Sequence, residues 1–147
     1  MRFLTLAICA LWLPVAGFAQ EMQDLGPAAR NWINATRADA GRGAVAVNSA
    51  LTQAAAVHAR DLARSGAFSH TGSNGSSVGD RVRRQGYGFC FVAENIAKGQ
   101  GAREQVLNGW LASPGHRRNI LASQAQEFGL VRGPGKLWVM VLGKPGC

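Results

Sequence analysis

The sequence predicts an α+β domain built as a three-layer sandwich, with helices on both faces of a central, mostly antiparallel sheet. Three observations predict it. Two long stretches in the first half repeat apolar residues at helical spacing. Three stretches in the second half have strand length and strand-like patterning. Shorter helical patterns lie between the first of these strands and the last two, so helices both precede and interleave with the sheet.

The first helix is marked by Leu25, Ala29, Trp32, Ile33, Thr36 and Ala40, and Gly41-Arg42-Gly43 ends it. Ala44 to Val47 reads as an apolar link, after which Asn48 or Ser49 can cap the next helix. There Leu51, Ala55, His58 and Leu62 share one stripe with Ala54 and Val57 beside it, and Gly66 stops the run. Residues 69–77 are dense in Ser, Thr, Gly and Asn and form a loop. Val78 and Val82 mark a short third helix ending near Gly86. From Phe89 to Ile96 the residues alternate: Cys90, Val92, Glu94 and Ile96 on one face, Phe91, Ala93 and Asn95 on the other. Gly99 to Gly101 turns the chain into a fourth helix carrying Ala102, Val106 and Trp110. Ser113-Pro114 then starts a further helical turn that runs through Leu121. Two closing strands, near Glu127–Arg132 and Leu137–Leu142, are joined by Gly133-Pro134-Gly135.

The first 19 residues read as a secretory signal peptide. Arg2 supplies a positive n-region, Phe3 to Phe18 is largely apolar, and Gly17-Phe18-Ala19 places small residues where a signal peptidase reads. An uncleaved anchor is the alternative. The apolar run falls short of the roughly 20 residues a bilayer span needs. Cleavage after Ala19 leaves residues 20–147 as one domain, large enough for its own core and with no further membrane-length segment. The expected location is therefore extracellular or periplasmic.

The mature chain keeps Cys90 and Cys147, and an even pair in an exported protein reads as one disulfide, with two free thiols as the alternative. It also keeps 15 basic and 8 acidic residues, and 12 of the basic ones are Arg. These are dispersed, with Arg81, Arg83 and Arg84 and the Arg117-Arg118 pair as the clusters, and no aromatic stacking array accompanies them. Specific nucleic-acid binding is not expected. Weak attraction to anionic envelope polymers or lipids is the expected consequence of this charge.

Four stretches place histidines or carboxylates where chemistry is accessible. His70 opens a polar loop, where a histidine is either a plain surface residue or a site group. Glu94 lies within an apolar strand, where a carboxylate is costly unless paired, hydrogen-bonded or on metal. An ion pair with an arginine and a place in a site both remain open for it. His116, near the third position of the helix begun by Ser113-Pro114, sits in a field that disfavours the imidazolium. A neutral imidazole suits a metal ligand or a general base; holding the turn is the plainer role. Glu127 heads a strand and either faces a site or is an exposed strand-end carboxylate. His58, between Ala55 and Leu62, reads as a core histidine. No His-Glu-x-x-His helix, Gly-x-Ser-x-Gly elbow or phosphate loop is present. Ser69 and Ser113 neighbour histidines, but adjacency is not triad geometry.

These stretches, in this order, resemble the bacterial branch of the CAP superfamily: cysteine-rich secretory proteins, antigen 5 and pathogenesis-related proteins, sharing the SCP domain. The resemblance rests on Val57 to Ala63, on Phe68-Ser69-His70-Thr71-Gly72, and on Ala93-Glu94-Asn95-Ile96-Ala97. It continues through Trp110 to Leu121 and Glu127-Phe128-Gly129. It implies an α–β–α sandwich with a central cleft, which in eukaryotic relatives is lined by two histidines and two glutamates able to hold a divalent cation such as zinc. His70, Glu94 and His116 match three of the four. Ser113 stands where the second glutamate would be, and Glu127 is a candidate replacement. Lipid and sterol binding is reported for eukaryotic relatives, and peptidase activity has been claimed for some.

The expectation is thus a binding protein whose His/Glu cleft takes a divalent cation and a lipid or glycan. A metal-assisted hydrolase using the same residues is the first alternative, and a scaffold stabilised by the cluster is the second. Catalysis is less expected than binding.

Overall fold

A computed structural model describes Met22 to Cys147. The predicted leader, residues 1–19, lies outside the described residues. In chain order the elements are β1 (Gln23–Asp24), α1 (Gly26–Asp39), β2 (Ala46–Val47), α2 (Ser49–Ser65) and α3 (Val78–Arg84). They continue with β3 (Phe89–Lys98), α4 (Arg103–Ala112), α5 (Pro114–Ile120), β4 (Glu127–Gly133) and β5 (Leu137–Pro145). The sheet runs β1-β4-β5-β3, with β2 alongside β4. Every pairing is antiparallel except the two-residue β2–β4 contact. The apolar link after the first helix is therefore a short strand, and β1 is a second one that the sequence pattern did not mark. Two-residue strands are too short to show alternation.

Helices cover both faces, and the period-2 alternation of β4 and β5 feeds both. Phe128, Leu130, Trp138, Met140 and Leu142 pack with Ala29 and Ile33 of α1, Leu107 and Trp110 of α4, and Ile120 of α5. Val131, Leu137, Val139 and Val141 point the other way, into Leu51, Ala55, Ala59 and Leu62 of α2 and Val82 of α3. This explains why Leu137 to Leu142 is apolar without a break: the strand is buried on both faces. The three-layer α+β sandwich holds. Val57, placed beside the buried stripe of α2, is instead partly exposed.

Asn48 caps α2, its side-chain oxygen accepting from the backbone N–H groups of Ala50 and Leu51. Gly66 ends it in the left-handed region at φ 72°. A Cβ at Gly129 would fall 2.2 Å from the backbone N of Thr52, so the axis of α2 rests directly on β4 there. Cys90 and Cys147 form the expected disulfide. Because β3 and β5 are antiparallel neighbours, with Phe89 opposite Pro145, it staples the open end of that pair. With the cysteines 57 residues apart in sequence, loop closure contributes about 4 kcal/mol in the chain-entropy treatment.

Gly129→Ala is expected to cost about 3 kcal/mol or more, because the atoms it meets are backbone and cannot turn aside. Urea unfolding of the oxidised domain checks this; a loss under about 1 kcal/mol, no more than a typical substitution, would mean that α2 does not sit on β4 this closely.

Candidate functional site

The site is organised by a carboxylate inside the protein. Glu94 lies on the face of β3 that looks toward α2 and α3, and its side chain is 2% exposed. Its Oε2 accepts from Nη2 of Arg81 at 2.8 Å, and that guanidinium is equally buried. Its Oε1 accepts from Nδ1 of His70 at 2.8 Å. Both oxygens are thereby engaged and the buried charge is answered by a buried charge.

Arg81 does more than pair. Nη2 also donates to the carbonyl of His70 at 3.0 Å and Nη1 to that of Ser76 at 2.8 Å, so one guanidinium holds both ends of the polar loop. His58 of α2, fully buried, donates from Nε2 to the carbonyl of Ser69 at 2.9 Å and lies 3.6 Å from Glu94 Oε1. Asp61, one turn further along α2, accepts from both the backbone N–H and the hydroxyl of Ser73. These two donors keep its carboxyl below the usual range. The loop is thus short of its own regular structure but fixed from α2, α3 and β3 together.

The other side of the site comes from the opposite helical layer. Asn95, next along β3, donates from Nδ2 to the carbonyl of His116 at 3.1 Å. Asn119 donates to Asn95 Oδ1 at 2.8 Å and to the carbonyl of Glu94 at 3.2 Å. Trp110 Nε1 reaches the carbonyl of Ile96 at 3.2 Å, and its ring lies 6.4 Å from that of His116. Beside His116 opens a cleft of about 340 Å³ lined by Phe68, Ile96, Val106, Trp110 and Ser113, with Lys98 and Gln100 at its polar end. Phe68 is half exposed there.

His70 and His116 come from different layers and are close enough for one to act on the other. The hydrogen bond that His70 donates to Glu94 holds it above the ordinary imidazole range. Burial, and then the nearby His70, hold His116 below it. His58 is also lowered, chiefly by burial.

The structure therefore joins His70 to Glu94 directly and puts His116 within electrostatic reach of His70, with Ser113 on the cleft wall. Ser113 precedes α5, but its hydroxyl makes no cap bond. Glu127 is not brought in. It accepts from Tyr87 Oη at 2.7 Å and from Asn48 Nδ2 at 3.1 Å, with β5 lying between β4 and β3. It fastens the cap of α2 to the sheet. Sequence reading missed Arg81 as the partner of Glu94, having grouped it with Arg83 and Arg84 in a basic cluster. The signal was present: Arg81 is three residues after Val78 and adjoins Val82, on the inward side of a short helix. His58 is a core histidine as expected, but one wired to the site.

The donors present do not make a three-ligand zinc centre, because Arg81 occupies Glu94 Oε2. Among the described residues, no three His, Cys, Asp or Glu side chains are grouped to hold one metal ion. A carboxylate accepting from Nδ1 leaves Nε2 of His70 as the free nitrogen, which is how metal-binding histidines are commonly oriented.

Arg81→Met is expected to destabilise the domain by about 3–5 kcal/mol by stranding a buried carboxylate. Arg81→Met/Glu94→Leu should recover most of that loss in urea unfolding; no recovery would mean that packing, not charge, explains the cost. His70 favours the folded state fully below about pH 6.5, and this contribution is lost as pH rises through its higher folded value. The stability difference between wild type and His70→Gln should therefore shrink across that window. Proton NMR titration of the three histidines should show His70 titrating last as pH rises.

Residues 30–140 match the cysteine-rich secretory protein family, CAP. The uncharacterized protein YkwD of Bacillus subtilis (strain 168) is 31% identical over 97 residues, 66% of this chain and 38% of that protein. An extracellular protein containing an SCP domain from Bacillus anthracis str. Ames is 27% identical with a TM-score of 0.75, covering 80% of this chain and 39% of its own. An outer surface protein of Borrelia burgdorferi, at 19% identity and TM-score 0.75, covers 86% of this chain and 99% of its own, a likeness of fold alone. This chain thus spans well under half the length of the two Bacillus proteins. The matched stretch takes in both helical layers, the loop of His70, all of β3 and the Ser-Pro-Gly-His turn, and so the chain belongs to the CAP family of cysteine-rich secretory proteins.

Proposed function

We propose that this is an exported, non-catalytic binding domain whose cleft beside His116 takes the apolar part of a lipid or glycan, with His70 and His116 at its rim. The observation that carries this reading is the pairing of an apolar cleft with a site carboxylate that is already spent. Glu94 has both oxygens committed and faces a guanidinium, so it is poorly placed to act as a general base. Glu127 is held elsewhere by Tyr87 and Asn48. That weakens the hydrolase alternative, which needs one of the two. Phe68, Ile96, Val106 and Trp110 instead offer contact area of the kind small-ligand sites use. The disulfide supports export, as do the extracellular and surface proteins to which the fold is similar. No helix among the described residues is long and apolar enough to cross a membrane.

A divalent cation enters this reading at His70 Nε2 and His116 only. When bound it would supply a positive charge at the cleft rim to which a polar head could be drawn. In calorimetry of the chelator-treated domain, zinc binding should be lost in both His70→Ala and His116→Ala. No zinc binding by wild type would leave a metal-free cleft. Zinc binding retained by both variants would mean that the cation lies elsewhere.

Gly109, inside α4 on the cleft wall, has open space where a Cβ would stand. Gly109→Ala should therefore raise stability by about 0.5–1 kcal/mol. Gly109→Leu should fill the cleft and abolish uptake of a fluorescent acyl probe while the fold persists. Undiminished uptake in Gly109→Leu would sink the cleft reading.

A further inference from the structure

On the same helical layer as His116, but at the far end of α5, lies a second hollow of about 420 Å³. Its walls include Phe91, Leu121 and Ala122, with Arg42 and Arg118 standing at its edge. Both arginines are exposed, and neither is within ion-pair distance of a carboxylate among the described residues, whereas Arg64, Arg81 and Arg103 each have one. Ser123 and Gln124 add polar groups to the rim.

Beneath this hollow lies a third guanidinium. Arg37 of α1 is fully buried and has no carboxylate partner among the described residues. Its donors go to four carbonyls: Gly43 at 2.7 Å, Ile120 at 2.6 Å, Ala122 at 3.1 Å and Ala125 at 3.2 Å. Two consequences follow. Arg37 fixes both the turn carrying Arg42 and the segment after α5 that walls the hollow. It also answers the carbonyl of Ile120, the last residue of α5, and those of Ala122 and Ala125 just beyond it, whose partial negative charge would otherwise repel an anion. Burial, and then the charge of Arg42, lower its proton affinity. Two exposed guanidinium groups thus stand beside an apolar floor.

We propose that this hollow is a binding site, separate from the cleft of His116, for a small amphipathic anion: a carboxylate or phosphate head carried on an apolar or aromatic group. Arg42 and Arg118 take the head, for which guanidinium is well shaped, and Phe91 and Leu121 take the rest. The volume suits a ligand of small-metabolite size rather than a bare ion.

The test is calorimetry of the oxidised domain with phenyl phosphate and 3-phenylpropanoate, beside inorganic phosphate and 3-phenylpropanol. Binding of either aromatic anion that exceeds both inorganic phosphate and the alcohol at least tenfold is expected, and the better of the two heads identifies the ligand class. Arg42→Ala and Arg118→Ala should each weaken it about tenfold, with melting temperatures unchanged because both side chains are exposed. Arg60→Ala, an equal loss of charge on exposed α2, should leave it unchanged, as should the cleft-filling Gly109→Leu. Equal weakening by Arg60→Ala would mean general attraction to a basic protein and would overturn the site. So would inorganic phosphate binding as well as the aromatic anions, or no binding of either anion. Loss in Gly109→Leu but not in Arg42→Ala would assign the anion to the first cleft instead.

Discussion

A carboxylate at the centre of a sheet face is the constraint from which the rest of this domain follows. Left alone, Glu94 would cost several kcal/mol of desolvation, more than a domain of this size can spare. It is tolerated because Arg81 arrives from α3 and His70 from the loop, and each must be held in place to do so. Arg81 is held by the carbonyls of His70 and Ser76, and the loop by His58 and Asp61 of α2. The outcome is a loop of Ser, Gly and Asn that has almost no regular structure and yet presents its histidine in one position. An ion pair of this kind is weak support for stability in itself. Its use is to specify: remove one partner and the other is stranded, so the loop, α3 and β3 stand or fall together.

How much of this the sequence carried depends on the range of the interaction. Helices and strands announced themselves through local periodicity, so α1, α2, β3, β4 and β5 were readable to within a few residues. Two-residue strands were not, since β1 and β2 exist only because β4 runs beside them. The site histidines were readable from their motifs and from the cost of burying a carboxylate at Glu94. The partner of that carboxylate was not. An ion-pair role for Glu94 could be foreseen, but which of the many arginines would close it is a question of tertiary packing. Arg81 looked like one of three neighbours in a basic cluster, and only its place beside Val78 and Val82 separated it from Arg83 and Arg84. Glu127 shows the reverse failure. It is part of a family-like stretch, yet its neighbours Phe128 and Gly129 explain that stretch better, one as core and the other as the spot where α2 touches the sheet.

The two buried arginines show how one residue type solves different problems on opposite faces. On the α2/α3 side, Arg81 neutralises a carboxylate and leaves a compact, internally satisfied cluster. On the α1/α5 side, Arg37 meets only carbonyls among the described residues, and their partial charges share its positive charge without cancelling it. Guanidinium suits both tasks, because its planar fork offers five donors and stays charged when buried. The difference matters for the surface above. Arg81 is paired with Glu94. Over Arg37 stand Arg42 and Arg118, neither paired with a carboxylate among the described residues.

Position in the sheet explains why histidines from two layers can meet at all. Residues on opposite faces of a central strand are kept apart by the sheet itself. Among the described residues β3 is an edge, pairing only with β5. Its outward carbonyls, at Glu94 and Ile96, are met by Asn119 and Trp110 instead of by another strand. Those side chains do two things at once. They block the bare edge against pairing with a second chain, and they fold α4 and α5 around it, carrying His116 toward the loop that holds His70. A sixth strand in that place would complete the sheet and bury the meeting point. The cleft therefore opens where a sheet has been finished with side chains rather than backbone, and Trp110 both finishes that edge and lines the cleft.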